Sequence, residues 1–307
     1  MSIKKNFSDF SDRSLSKEDY VSRQYEEYHS KLFEYSKYIG STDIKEIKII
    51  DREVILTTRS HGLSFVCPEL DHRSSAIETL NFKDYEKDCS EMMKNLVNDG
   101  DTIFDIGTNM GWYSILFSTL NRNSEIHSFE PVPSTFSVFL KNIQLNNSIN
   151  IKANHFGLSD EERDEYIYFY PQGSGNASLK NLSDSQEVEK IRCKFKTLDQ
   201  YVADNNCNLD FLKCDVEGAE LLVFQGGKEC ILTNKPIIFS EILRKWSKKF
   251  KYNPNDIFDL FRSMKYEVYF CQDSKLIQFT EMNDRTVETN FFFLHKEKHS
   301  SLIDQYS

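Results

Sequence analysis

The stretch Asp101–Ser118, DTIFDIGTNMGWYSILFS, decides the fold. Thr102 to Ile106 is a short apolar run with Asp105 near its end. Gly107-Thr-Asn-Met-Gly111 is a turn, and Trp112 opens an apolar helical run. Strand, glycine turn and helix in this order build a nucleotide-type pocket at the carboxyl end of the first strand of an α/β sheet.

Outward from this stretch the same alternation continues. Strands are expected at Glu125–Phe129, about Asn150–Phe156, Leu209–Asp215, Pro236–Glu241, Tyr266–Cys271 and Asn290–His295. Helical runs separate them, one with Pro133 in its first turn and one opened by Asn253-Pro254. Such alternation predicts a mostly parallel sheet with helices on both faces. Two polar strands, near Glu165–Tyr170 and Ile191–Lys196, flank a Gly-Ser-Gly-Asn loop at Gly173–Asn176, and the Gly173–Leu179 stretch reads either as a loop that closes over substrate or as an ordinary turn.

The first part of the chain reads differently. Residues 1–15 are polar and expected to be poorly ordered. Ser16 and Asp19 form a capping-box pattern. Val21, Tyr25, Tyr28, Leu32, Tyr35 and Ile39 then recur at helical spacing up to Gly40, predicting a helix over 17–39. Its stripe either packs on the main domain or, being heptad-like, pairs with a second copy. Lys45–Thr58 reads as two short strands around Asp51-Arg52. Arg59–Asp84 reads as an irregular segment able to act as a lid. Residues 1–80 are therefore expected to be an extension, and 81–307 the ligand-binding domain.

The net charge of −10 over 307 residues argues against a nucleic-acid surface. No apolar run is long enough to span a membrane. The seven cysteines are odd in number and form no C-x-x-C pair, which suits reduced thiols in a cytoplasmic protein without a disulfide or zinc framework. No ligand spacing compels a metal, although Asp215, Glu217 and Glu241 offer oxygen donors.

Two kinds of cofactor fit a strand, glycine turn and helix. A dinucleotide fingerprint needs glycines where this chain has Asn109 and Trp112, and a tryptophan cannot replace a missing side chain. A phosphate-binding loop fails because no Gly-Lys-Ser/Thr follows. S-adenosylmethionine carries no phosphate. Asp105 offers a charge for its ammonium, and the turn from Gly107 to Gly111 allows close backbone approach. Glu130 ends the next strand, where a carboxylate can accept both ribose hydroxyls.

The motifs Asp105-Ile-Gly-Thr-Asn-Met-Gly111, Phe129-Glu-Pro-Val-Pro133, Gly157-Leu-Ser-Asp160 and Leu212-Lys-Cys-Asp-Val-Glu-Gly-Ala-Glu220 resemble the FkbM family of S-adenosylmethionine-dependent methyltransferases. The resemblance covers about Gly100–Glu241, with an echo at Asn290–Lys296. Thr108 departs from the family's usual alanine. The resemblance implies a Rossmann-like class I methyltransferase fold with a mostly parallel seven-stranded sheet. It also implies O-methylation of a hydroxyl on a sugar, glycan or small-molecule natural product. Carried over by position, Asp105, Gly107, Thr108, Asn109 and Gly111 line the methionyl side, Glu130 the ribose, and Gly157 and Leu158 the adenine.

An alcohol is a poor nucleophile, so a base at the carboxyl ends of the strands is expected. Asp215, Glu217 and Glu241 are the candidates. Asp215 reads either as a cofactor or catalytic group or as a helix cap. Glu217 reads either as a site residue or as a first-turn partner of the helix dipole. Alternation along the strand puts Lys213 on the same face as Asp215, where it either orients a substrate or pairs a buried carboxylate. A non-catalytic cofactor-binding or scaffold protein is the competing reading.

Overall fold

The computed structural model describes residues 2–183 and 188–307. Fourteen strands are named in chain order: β1 Ile44–Ile50, β2 Glu53–Thr58, β3 Ser64–Cys67, β4 Thr102–Ile106, β5 Glu125–Phe129, β6 Ile151–Asn154, β7 Gly157–Leu158, β8 Arg163–Phe169, β9 Glu189–Lys196, β10 Phe211–Cys214, β11 Ile237–Glu241, β12 Tyr266–Gln272, β13 Lys275–Phe279 and β14 Asn290–His295.

The main sheet runs β13-β12-β14-β11-β10-β4-β5-β6. Neighbours from β6 to β11 pair in parallel, while β14, β12 and β13 pair antiparallel. Strands β4 and β10 are almost wholly buried, as parallel strands covered on both faces must be. The strand order reverses between β4 and β10, and such a switch point opens a crevice at the carboxyl ends. The expected count of seven strands is corrected to eight. Lys275–Phe279 adds an edge strand by a hairpin whose turn uses left-handed Asp273 and Ser274.

One apolar layer fills one face of the sheet and joins it to the first hundred residues. It contains Ile44, Leu56 and Phe65 together with Met93, Trp112, Tyr113 and Phe117. Trp112 stacks on Phe65 of β3 at 4.8 Å between ring centroids. The bulk that excludes a dinucleotide thus anchors the β1–β3 meander. The other face is filled by Phe104, Phe129, Leu212, Phe224, Phe258 and Phe293 among others. A small sheet, β7-β9-β8, has its own core of Val132, Ile167, Phe169, Cys193 and Phe195.

Several expectations for the first part need correction. Residues 3–11 form a helix, capped by Ser2, rather than a disordered lead. The helix over 17–39 forms, interrupted by a π segment at Tyr25–His29 that breaks the heptad register. Most of its stripe is left open, Val21, Tyr25, Leu32 and Tyr35 being about half exposed, while Ile39 at its end packs on the apolar layer of the main domain. The Asp51-Arg52 turn forms as read, both residues being left-handed. Arg59–Asp84 is not structureless. It contains β3 and a helix at Ser75–Phe82. The edge of β3 is closed by helix Pro133–Asn146, where Asn142 and Asn146 side chains accept from the Val66 and Ser64 amides at 2.9 and 2.8 Å. Among the described residues no helix is long and apolar enough to cross a membrane.

Candidate functional site

Two adjoining chambers with shared lining residues occupy the crevice at the switch point. The smaller, about 60 Å³, is walled by Leu158, Ile167, Ala177 and Phe195, with Glu130 and Gly157 on its lining. The larger, about 450 Å³, is lined by Tyr85, Glu86, Trp112, Tyr113, Lys213 and Glu241. Gly107, Asn109, Gly175, Asp215 and Glu217 line both.

The register of the sheet assembles the charged floor. Lys213 on β10 lies beside Asp105 on β4, so their side chains share a face. Lys213 Nζ is 3.5 Å from Asp105 and 3.5 Å from Asp215, and it donates to the Gly107 carbonyl at 3.0 Å. Burial alone would drive proton affinity down at Lys213; Asp215, Asp105 and Glu86 outweigh it and hold the ammonium above its ordinary range. Lys213 is therefore a fixed cation that binds the floor together.

Asp105 is fully buried and lines neither chamber. Its carboxylate accepts from the Ser114 amide at 3.2 Å and hydroxyl at 2.5 Å. The geometry gives it the job of holding Lys213 and the start of the helix Trp112–Leu120. Thr108 lines the larger chamber and donates its hydroxyl to the Asp105 carbonyl at 3.1 Å.

The two glycines are needed for a reason other than ligand approach. Gly107 is left-handed at φ 75°, and a Cβ there would collide with the Asp215 carbonyl oxygen. Gly111 is left-handed at φ 90°, and a Cβ there would collide with the Phe139 ring. What approaches closely is the chain itself.

Glu130 stands at the junction of the apolar slot and the turn. One carboxylate oxygen accepts from the Val132 amide at 2.8 Å and the other from the Asn109 amide at 3.0 Å. Burial pushes its proton affinity up to about 7, against the pull of those two amides. Each oxygen keeps a lone pair for a ligand hydroxyl. Gly157 and Leu158 line the smaller chamber as the motif reading expects. His155 stacks on Phe136 at 4.5 Å and lines neither chamber.

Carboxylate oxygens of Asp215, Glu217 and Glu241 lie within 4.8 Å of one another. Burial first, then Asp215, raises the Glu241 carboxyl to about 9. Glu217 is pushed up in the same sense by burial, Asp215 and Glu241. Glu217 is left-handed at φ 52°, and its carbonyl accepts from Ser178 at 2.7 Å. Oxygen donors at this spacing could also take a hard divalent cation.

Sequence reasoning missed three participants. Glu86 enters the larger chamber from the loop before helix Lys87–Leu96. Asp71 and Ser174 form a strap across the crevice: the Ser174 hydroxyl is 2.6 Å from Asp71 and 3.1 Å from the Asn109 side chain. The Gly173–Asn176 loop carried a usable signal for Ser174. Nothing in the local sequence marked Glu86 or Asp71.

The donor set suits S-adenosylmethionine in order along the crevice. An apolar slot comes first, then a carboxylate with free lone pairs at Glu130, then the carboxyl groups of Asp215 and Glu217 on the lining of both chambers. Sheet order and crevice together define a Rossmann-like fold of the class I methyltransferase type. The family model described as the methyltransferase FkbM domain matches residues 105–268, and the chain belongs to that family. Methyltransferase 1 of Beauveria bassiana is 32% identical over 146 residues, covering 42% of this chain and 59% of that protein. Methyltransferase sdnD of Sordaria araneosa is 29% identical over 156 residues, covering 41% of this chain and 60% of that protein. The matched region thus spans about three fifths of the length of these curated relatives. A crystal structure of an FkbM methyltransferase from Methylobacillus flagellatus aligns with a TM-score of 0.41 at 15% identity, over 65% of this chain and 45% of that one.

Proposed function

We propose that the protein transfers a methyl group from S-adenosylmethionine to a hydroxyl of a sugar, glycan or small-molecule natural product. The observation that carries this reading is the junction of the two chambers. The apolar slot with Glu130 adjoins, across Gly107, Asp215 and Glu217, a larger space that Glu241 also lines.

S-adenosylmethionine supplies an electrophilic methyl on a sulfonium and departs as the neutral thioether. The chain does the rest. Leu158, Ile167 and Phe195 shape the adenine slot, with Gly157 beside them. Glu130 accepts the ribose hydroxyls. Asp215 and Glu217 face the cationic centre, and Lys213 keeps Asp215 in place. Glu241 takes the proton of the acceptor hydroxyl as the new carbon–oxygen bond forms. Its raised proton affinity suits a base better than an ordinary carboxylate. Alignment of the hydroxyl with the methyl supplies much of the remaining acceleration.

Residues 1–80 are read as the accessory part that shapes the acceptor side. Arg73, Ser75 and Glu78 from this segment line the larger chamber. The exposed stripe of the 17–39 helical run is a candidate contact for a second copy, tested by sedimentation velocity with and without residues 2–40.

The test of function has two arms. Calorimetry with S-adenosylhomocysteine asks whether the crevice holds the cofactor product. Methyl-labelled S-adenosylmethionine with a panel of p-nitrophenyl glycosides asks whether label reaches a hydroxyl. Tight binding of NADH in place of S-adenosylhomocysteine would sink the reading. Binding without transfer to any hydroxylated acceptor would favour a non-catalytic binder.

A further inference from the structure

Glu86 lies outside the residues matched by the family model. Its backbone sits at φ 43°, ψ 44°, a left-handed conformation that a glutamate adopts against steric resistance. It occupies the cap position of helix Lys87–Leu96, yet its side chain makes no capping hydrogen bond. The usual gain from a polar residue at that position is forgone.

The carboxylate turns inward instead. It lines the larger chamber and accepts a hydrogen bond from the Tyr113 hydroxyl. Burial raises its proton affinity, opposed by that hydrogen bond, and Asp215 raises it further. Its charge in turn adds to the proton affinity of Glu241, so the two carboxylates face a common space. They arrive from different elements: Glu86 from the loop before the helix, Glu241 from the end of β11. An unfavourable backbone, a buried inward carboxylate and the nearby Asp215 weigh against this placement, and the Tyr113 hydroxyl and the Lys213 ammonium offset them only in part. Such costs persist where a position is used.

We propose that Glu86 is an acceptor-holding carboxylate, oriented by Tyr113, that takes a hydrogen bond from a second hydroxyl of the acceptor while Glu241 faces the one that is methylated. The inference rests on the methyl-transfer reading and adds to it that the acceptor carries at least two hydroxyl groups. Tyr113 is a positioning residue, since its hydroxyl acts through Glu86.

Glu86→Gln keeps the shape and the contact with Tyr113 but removes the charge. Its affinity for S-adenosylhomocysteine should stay within about twofold of wild type. Methyl transfer to the p-nitrophenyl glycosides should fall roughly thirtyfold, chiefly through the acceptor KM, as expected for a lost hydrogen bond to a charged group. Its Tm should rise by a few degrees, because a carboxylate whose burial, with Asp215 beside it, outweighs the favourable pull of Tyr113 and Lys213 is replaced by a neutral amide. Tyr113→Phe should lose less transfer and leave cofactor affinity unchanged.

A lower Tm for Glu86→Gln would make Glu86 an ordinary structural tether and overturn the inference, whichever acceptor is used. Weaker S-adenosylhomocysteine binding would place it in the cofactor site instead, and unchanged transfer would remove it from the acceptor. If wild type binds S-adenosylhomocysteine but methylates no glycoside, the Tm of Glu86→Gln decides, a rise supporting the inference and a fall overturning it. Failure of wild type to bind S-adenosylhomocysteine would sink the methyl-transfer reading itself, and with it this one.

Discussion

Lys213 and Asp105 face each other across adjacent parallel strands, 3.5 Å apart, with side chains only 5% and 1% exposed. An ion pair this deep gains little over a well-packed apolar pair, but breaking it strands a charge. Lys213→Met should therefore destabilise the protein by about 3–5 kcal/mol in urea denaturation. Adding Asp105→Asn should recover part of that loss. A loss in the double variant equal to the sum of the two single losses would mean the pair is not coupled.

Glu130 receives two backbone amides and offers its remaining lone pairs to the smaller chamber. Glu130→Ala should weaken S-adenosylhomocysteine binding by about 1–3 kcal/mol, the cost of losing hydrogen bonds to a charged group. Glu130→Gln retains one carbonyl acceptor and should fall between. Calorimetry checks both, and unchanged affinity in the alanine variant would take Glu130 out of the site.

The parts of this fold that were legible in sequence are those where neighbours in the chain determine the outcome. Strands β4 and β10 are buried, largely apolar runs, and Lys213 near the end of β10 and Asp215 just past it come together by simple alternation. The glycine turn was legible, but its cause was not, because the groups that crowd Gly107 and Gly111 are Asp215 and Phe139 from later elements. Glu86 was invisible for the same reason. Its partner Tyr113 lies 27 residues away, and a glutamate before a helix carries no distinctive signal. The edge strand β13 was missed because only Leu276 in it is buried, which leaves a weak alternation. The stripe from Val21 to Ile39 marked a helix correctly. Periodicity says which residues share a face, and says nothing of what covers them.

The strap across the crevice makes a kinetic prediction. The Ser174 hydroxyl has a single proton and sits within hydrogen-bonding distance of both the Asp71 carboxylate and the Asn109 side chain. It ties the Gly173–Ala177 loop to the turn and to the segment before helix Ser75–Phe82. Ser174→Ala should cost about 1–2 kcal/mol of stability, since it leaves the buried Asp71 short of a donor. It should also speed dissociation of S-adenosylhomocysteine in stopped-flow measurements by roughly tenfold, the equivalent of one such bond. A dissociation rate equal to wild type would show that the loop does not gate the crevice.

Glu241 makes the pH dependence of the protein informative. Its carboxyl is raised from an ordinary value of 4.5 to about 9, first by burial and then by Asp215 and Glu86. Between those two values the unfolded chain has lost the proton that the folded chain still holds. Stability from this group is therefore full below about pH 4.5 and declines as pH rises toward 9. Glu241→Gln mimics the protonated form, so its denaturation free energy should exceed that of wild type at pH 8 and match it near pH 4. Activity should run the other way. A base must be deprotonated, so kcat/KM for wild type should climb with pH along a single-proton limb ending near 9. The glutamine variant should lose that limb and fall by about 10²–10⁴-fold. The opposition of the two profiles separates a working base from a merely buried acid. A variant that gains alkaline stability yet keeps full activity would leave Glu241 as a neutral wall of the chamber, and the proton would have to leave by Asp215 or Glu217.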